Sequence, residues 1–292
     1  MRPRRAHLRT SAVLAVVSAL GVGAVACAPA SADNATSAST TTASVDYSNL
    51  PPVTLDGINE RTQISIIHLG TGITVGTENQ DEPRPGLSQN KLYIADWVLR
   101  NGTESEKKDS IKMLKNSHDI TAQTLFRKYG KKTISETATR YNLEDTYASS
   151  RWGSAPTSTA DLVKFIHTKL EEDPNDPLLK ALRTTTSVAA DGYPQDFGTA
   201  NISGVKGTKW GWTDDRSSGH SSTSFSDDFI ISVHTYGSLS AHNADVAQAI
   251  KSTKSHSGSM SLDCSQETDD GTGTQILVES VPLPGLPALY RC

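Results

Sequence analysis

The sequence predicts an α+β protein, with an antiparallel sheet built from N- and C-terminal segments and a helical region between them. Three observations carry this. A hairpin pattern opens the folded part, with Ile64–Leu69, a Gly70-Thr71-Gly72 turn and Ile73–Val75. Helical periodicity then takes over from Leu92. Three strand-like runs and a final helical stretch close the pattern before residue 254.

In chain order, Arg2, Arg4, Arg5 and Arg9 precede a charge-free apolar run from Ser11 to Ala26 and a small-residue Ala30-Ser31-Ala32 site. This is the pattern of a removable export signal over residues 1–32, because the run is shorter than the ~20 residues of a spanning helix. Arg4 and Arg5 also fit a twin-arginine signal. Cys27 follows a poor lipoprotein box, so it is either removed or lipidated, and in the second case it tethers the chain to a membrane. Residues 33–55 are a Ser/Thr-rich linker.

The domain is expected over 56–254. Leu92, Ile94, Ala95, Val98 and Leu99 mark a helix that Asn101-Gly102 stops. Ser105–Asn116 reads as a second helix, and Asp119 as the N-cap of a third that Gly130 ends. Thr159–Leu170 is a fourth. Lys206–Asp214, His220–Ser226 and Phe229–Tyr236 read as strands, and Ala241–Lys251 as the last helix. Residues 255–292 form a Ser-, Gly- and Thr-rich extension whose Cys264 and Cys292 are expected to pair in an oxidising compartment.

The formal charge of −4 and the lack of basic clusters beyond the signal argue against nucleic acid as partner. Lys107, Lys108, Lys112 and Lys115 read as a solvated helix face. No cofactor or metal is implied, and a monomer is expected.

Three short motifs bear chemistry. Ser88-Gln89-Asn90-Lys91 opens an apolar helix, where residues three apart share a face and the amine reaches the hydroxyl. Alone, Ser88 reads first as a helix N-cap. Ser105-Glu106-Lys107-Lys108 has the same spacing but begins a charged stretch that cannot shield a lysine from water. Ser117-His118-Asp119 lies between two helices. Lys209-Trp210-Gly211 lies on a strand, with Trp212 following, and offers a cation for a carboxylate beside a bare backbone. Lys128-Tyr129-Gly130 repeats that spacing, but there the glycine is a helix stop.

Ser88/Lys91, Ser117/Asp119 and Lys209/Gly211, in this order, resemble the motif set of class A β-lactamases and penicillin-binding proteins. The Gly70-Thr71-Gly72 hairpin before the serine and Thr157–Leu162 before a helix are similar too. The resemblance covers about Arg61 to Lys254 and implies a β-lactamase/transpeptidase-like fold.

It further implies that Ser88 is acylated, that Lys91 is its general base and that Ser117 passes a proton to the leaving group. Lys209 would hold a substrate carboxylate, and the backbone N–H groups of Ser88 and Trp212 would bind the oxyanion. Asp119, Trp210, Gly211 and Trp212 would contact substrate. His220 is expected at the edge of the site or on the surface.

The sequence departs from that pattern in four ways. Asp119 replaces an amide, and Trp210 replaces a hydroxyl residue. The segment between Lys91 and Ser117 is short. Tyr141–Ser158 lacks the loop glutamate that activates water, and Glu144 is the nearest substitute. Two readings follow: a secreted or cell-envelope serine hydrolase acting on a peptidoglycan peptide, β-lactam or ester, or a degenerate binding protein of the same fold. In a third, the C-terminal tail acts and the domain is its scaffold.

Overall fold

The computed structural model describes residues 53–55, 57–255, 279–283 and 286–291. The expected export signal, Cys27, and the Cys264–Cys292 bridge lie outside these residues. Among the described residues no helix is long and apolar enough to cross a membrane.

The chain runs β1 (Val53–Thr54), β2 (Thr62–His68), β3 (Thr74–Gly76), β4 (Arg84–Pro85), then helices α1 (Asn90–Asn101), α2 (Glu104–Asn116), α3 (Asp119–Tyr129) and α4 (Lys132–Arg140). There follow β5 (Pro156–Thr157), α5 (Thr159–Glu172), α6 (Pro177–Leu182), β6 (Gly207–Trp212), β7 (His220–Phe225), β8 (Phe229–Thr235) and α7 (Leu239–Ser255). Glu279–Leu283 (β9) and Leu286–Arg291 (β10) pair antiparallel with each other.

The main sheet has the order β1-β3-β2-β8-β7-β6, so the N-terminal hairpin pairs directly with the last strand of the domain. Thr62 faces Thr235 and His68 faces Phe229 along that junction. All neighbours in this sheet are antiparallel except the two-residue β1–β3 contact. β6 forms the free edge.

Both faces of the sheet are covered. Ile64, Ile66, Phe229, Ile231 and Val233 pack with Val246 and Ala249 of α7, while Ile67, Phe225 and Ile230 join the larger core made by α1–α6. This is why every residue of β2, β7 and β8 is buried. β7 is nevertheless polar, and its hydroxyls pair sideways: Thr223 with Ser232 at 2.9 Å, Ser224 with Thr208 at 2.8 Å, Ser222 with His242 at 2.8 Å.

Helix α1 is nearly all buried, and charge as well as apolar area holds it. Asp96 accepts from Arg100, from the Tyr141 hydroxyl at 2.9 Å and from Lys169 at 3.2 Å, and Lys169 also meets Asp176 at 2.5 Å. Such a buried network fixes the rotation of α1, and so the direction of its first turn.

Sequence reasoning missed α4 and α6. Helix α4 turns Thr133 and Thr137 inward beside Ile134 and Ala138, so apolar spacing does not reveal it. Helix α6 is short, but Asp176 caps it and Pro177 occupies its first turn, a start signal that was readable. The other helices begin and end within a few residues of expectation.

Candidate active site

Ser88 lies in a 3-10 turn, Leu87–Gln89, that feeds α1. Leu87 has φ +52, a left-handed conformation that costs a non-glycine residue energy and needs external support. The support comes from β6. A Cβ placed on Gly211 would lie 3.0 Å from Leu87 Cβ, 3.0 Å from Ser88 N and 2.6 Å from Ser221 Oγ. Only glycine lets the strand come this close to the serine. Gln89 completes the junction, donating to Lys209 O at 3.0 Å and Ser221 Oγ at 3.3 Å.

Lys91 is one helical turn on and fully buried, with Nζ 2.6 Å from Ser88 Oγ. Its other partners are Ser117 O at 2.9 Å, Ser117 Oγ at 3.0 Å and Asp119 Oδ1 at 2.5 Å. Ser117 ends α2 in a left-handed conformation (φ 54, ψ 39), which turns its hydroxyl back toward the lysine. Lys209 Nζ, also fully buried, reaches the same hydroxyl at 2.9 Å and Trp210 O at 3.0 Å. The three motifs therefore meet at one hydroxyl, Ser117 Oγ.

Burial pushes the Lys91 ammonium down from the usual lysine range, while the charge and hydrogen bond of Asp119, and more weakly Asp191, oppose the shift. Burial also holds Lys209 well below the usual lysine range, with the Lys91 charge adding to it and Asp119 opposing. Two of Lys91's partners, the Ser117 carbonyl and the Asp119 carboxylate, can only accept. A neutral amine gives them its two N–H bonds and leaves its lone pair for the Ser88 hydroxyl. This arrangement can deprotonate serine.

Thr213 N donates to Gly219 O at 3.0 Å across the β6–β7 pair. Backbone groups alternate along an antiparallel strand, so the Trp212 N–H points off the free edge of β6, away from β7. Trp210 O, which faces Lys209, follows the same alternation. The Trp212 N–H thus lies on the cleft side, beside the strand's approach to Ser88, as an oxyanion donor requires.

The cleft is about 650 Å³ and is lined by Ser88, Asp119, Trp152 and Trp212 together with Arg151, Asp191 and the turn from Thr213 to Arg216. Trp152 stacks over Lys91 Nζ at 4.8 Å. Asn90 fixes that segment by donating to Trp152 O and Ala155 O, both at 2.7 Å. Trp212 stacks on Tyr193 at 4.8 Å and donates its indole N–H to Asp191 at 3.0 Å. Trp152, Asp191 and Arg216 carry no signal in the motifs and were missed. A second concavity of about 480 Å³ between α2 and α6 holds none of the nucleophile chemistry.

Four expectations need correction. Asp119 is the first residue of α3 and not its N-cap, which is His118; its side chain is taken by Lys91. His220 is fully buried, because β7 is an inner strand, and its ring pairs with Tyr193 OH at 2.8 Å and Gly237 O at 2.9 Å. Trp210 does not line the cleft. Its side chain joins Phe197 and Tyr193 in a buried cluster and donates to Phe197 O at 2.9 Å. Glu144 is exposed and outside the cleft lining, and its backbone is anchored to Asp161 at 3.2 Å.

This architecture is the β-lactamase/transpeptidase fold. The structure is similar to penicillin-binding protein D2 of Listeria monocytogenes in its cefotaxime-bound form, at 19% identity and TM-score 0.51, covering 65% of this chain and 95% of that one. It is similar to the β-lactamase of Streptomyces albus G at 16% identity and TM-score 0.52, covering 65% and 91%. A β-lactamase of Burkholderia vietnamiensis matches at 11% identity and TM-score 0.51, covering 66% and 93%. No protein-family model and no curated protein matches the chain.

Proposed function

We propose that this protein is an extracytoplasmic serine hydrolase or peptidase that works through an acyl-Ser88 intermediate on a peptidoglycan peptide, β-lactam or ester. The observation that carries the reading is the Lys91 amine 2.6 Å from Ser88 Oγ, inside a chain of hydrogen bonds that runs through Ser117 Oγ to Lys209. The basic and apolar N-terminus supports export.

In the first step the Lys91 lone pair takes the Ser88 proton as Oγ bonds to the acyl carbon. The oxyanion forms between the N–H groups of Ser88 and Trp212. Ser117 gives its proton to the leaving group and is reprotonated from the lysine ammonium. Hydrolysis of the ester needs a water and a base. Glu144 stands outside the cleft, so no loop glutamate is at hand to activate the water, and Lys91, neutral again once it has reprotonated Ser117, serves as base a second time. Deacylation is therefore the slow step, and an adduct accumulates.

Purified protein treated with a penicillin and with a serine-directed phosphonate, followed by intact-mass measurement, tests this. Labelling is expected to vanish in Ser88→Ala and persist in Ser105→Ala. Labelling that follows Ser105 sinks the assignment. Rapid nitrocefin turnover without an adduct sinks the slow-deacylation step. A second reading, a binding protein that has lost turnover, is favoured by the Asp119 carboxylate 2.5 Å from Lys91, which works against a neutral amine. An unlabelled wild type supports that reading.

A further inference from the structure

We propose that the natural acyl group presents an ammonium or similar cation beside the bond that Ser88 attacks, carries no carboxylate there, and is read by Asp119. The inference rests on the acyl-Ser88 reading and names the substrate class for that site.

Asp119 is the first ground. Its side chain is 60% exposed, and only Oδ1 is engaged, by Lys91. Among the described residues Oδ2 has no hydrogen-bond partner, and it belongs to a residue that lines the cleft within reach of the reacting lysine. A carboxylate accepts and never donates, so the group that fills this position must donate. A carbonyl or carboxylate there would be repelled and left unpaired.

The second ground is independent of Asp119: two of the three cations that could hold a carboxylate, Lys209 and Arg216, are already engaged. Lys209 is fully buried and gives its protons to Ser117 Oγ and Trp210 O. The hydroxyl that would assist it is replaced by Trp210, whose indole is turned into the protein. Arg216 is drawn to Asp191, with its carbonyl at 3.0 Å and its carboxylate at 3.6 Å, and lies over the Tyr193 ring at 5.2 Å. The remaining lining cation is Arg151, against Asp119, Asp191, Asp214 and Asp215. Four lining carboxylates against two guanidiniums, with Lys91 beside Asp119 in the neutral form that acylation requires, give the lining a net negative charge that concentrates cations and repels anions.

Three phosphonates of equal chain length, ending in trimethylammonium, tert-butyl or carboxylate, provide the test. The first two have the same shape, so charge alone separates them. The measured quantity is the second-order rate of Ser88 labelling on the full chain, by intact mass, at low and high salt. The expected order is cation, neutral, anion, with roughly tenfold between the ends at low salt and a narrower spread at high salt. Asp119→Asn is expected to compress the cation-to-anion ratio; because it is a ratio, a general change in serine reactivity cancels.

An anionic probe that labels as fast as the cationic one overturns the substrate class and leaves the acyl-serine reading standing. A ratio unchanged in Asp119→Asn overturns the role of Asp119. If no probe labels Ser88, the acyl-serine reading fails and this inference fails with it.

Discussion

Replacing Asp119 by Asn is the most informative single change, because it leaves the shape of the site and removes one charge. The carboxylate is 2.5 Å from Lys91 Nζ and its side chain is 60% exposed. At that distance the attraction is about 1.7 kcal/mol with the dielectric of bulk water and about four times that at an effective value of 20. The exposure favours the lower figure, which corresponds to roughly a tenfold change in the proton equilibrium of the lysine. Lys91 acts as a base only when neutral, so Ser88 labelling rises with pH through the lysine's folded pKa. Burial already holds that value below the ordinary lysine range, and removing Asp119's charge lowers it further. Asp119→Asn should therefore move the acidic limb of the labelling profile to lower pH and raise the rate on that limb about tenfold. The Asn carbonyl can still accept the lysine N–H, so the amine keeps its orientation. The assay is phosphonate labelling across a pH series, with thermal melts to confirm folding. A limb that stays in place, at an unchanged rate, would refute the view that Asp119 restrains the lysine.

Three other outcomes are expected. Gly211→Ala puts a methyl 2.6 Å from Ser221 Oγ and 3.0 Å from Ser88 N, so labelling should fall about hundredfold while stability drops by about 1–3 kcal/mol; labelling within a few-fold of wild type counts against the close approach. Lys169→Met leaves the buried Asp96 and the part-buried Asp176 without their shared cation and should cost about 3 kcal/mol in urea unfolding, and a neutral result would mean that Arg100 and Tyr141 suffice. Burial, reinforced by Arg84 at His234 and by His220 at His242, pushes both imidazoles down to about 3. Their folded values lie below the unfolded one, so their contribution is intact above about pH 6.5 and is lost as pH falls toward 3, by about 2–3 kcal/mol each two units below the unfolded value. A melting temperature flat from pH 7 to 4.5 contradicts that, and His242→Gln should remove about half of the fall.

What could be read from the sequence was set by where chemistry leaves a local signature. Ser88 and Lys91 share a helix face, and Lys209 and Gly211 share a strand face, so their spacing reports their geometry. Ser117 is joined to them only in space, and motif order carried that link. Trp152, Asp191 and Arg216 arrive from loops with no periodicity, and no local pattern places them in the cleft. β7 shows the limit from the opposite side. His220-Ser221-Ser222-Thr223-Ser224 has the composition of a wet strand, yet it is wholly buried because each hydroxyl or imidazole has a partner on a neighbouring element. Hydropathy counts the polar atom and cannot see the partner. The same blindness put His220 near the surface and hid α4. At Asp119 capping preference pointed to a helix start, and the start is one residue earlier because a buried lysine claims the carboxylate.

The pairing of β2 with β8 has a consequence for how the protein comes into being. The segment at Thr62 is joined to Thr235, and Arg61 is clamped to Asp245 at 2.9 Å from the final helix of the domain. A ribosome delivers the first partner long before the second, so the middle of the sheet stays open until nearly the whole domain has been made. Through that interval the turn that carries Ser88 and the helix that carries Lys91 can form from local sequence, but the edge strand that brings Lys209 and the glycine gap has no sheet to join. Ser88 is therefore held without the Trp212 N–H and the Lys209 amine beside it until the chain is nearly complete. If Ser88 reacts as proposed, cutting the chain between α6 and β6 should yield two halves that leave a serine-directed phosphonate untouched until they are combined.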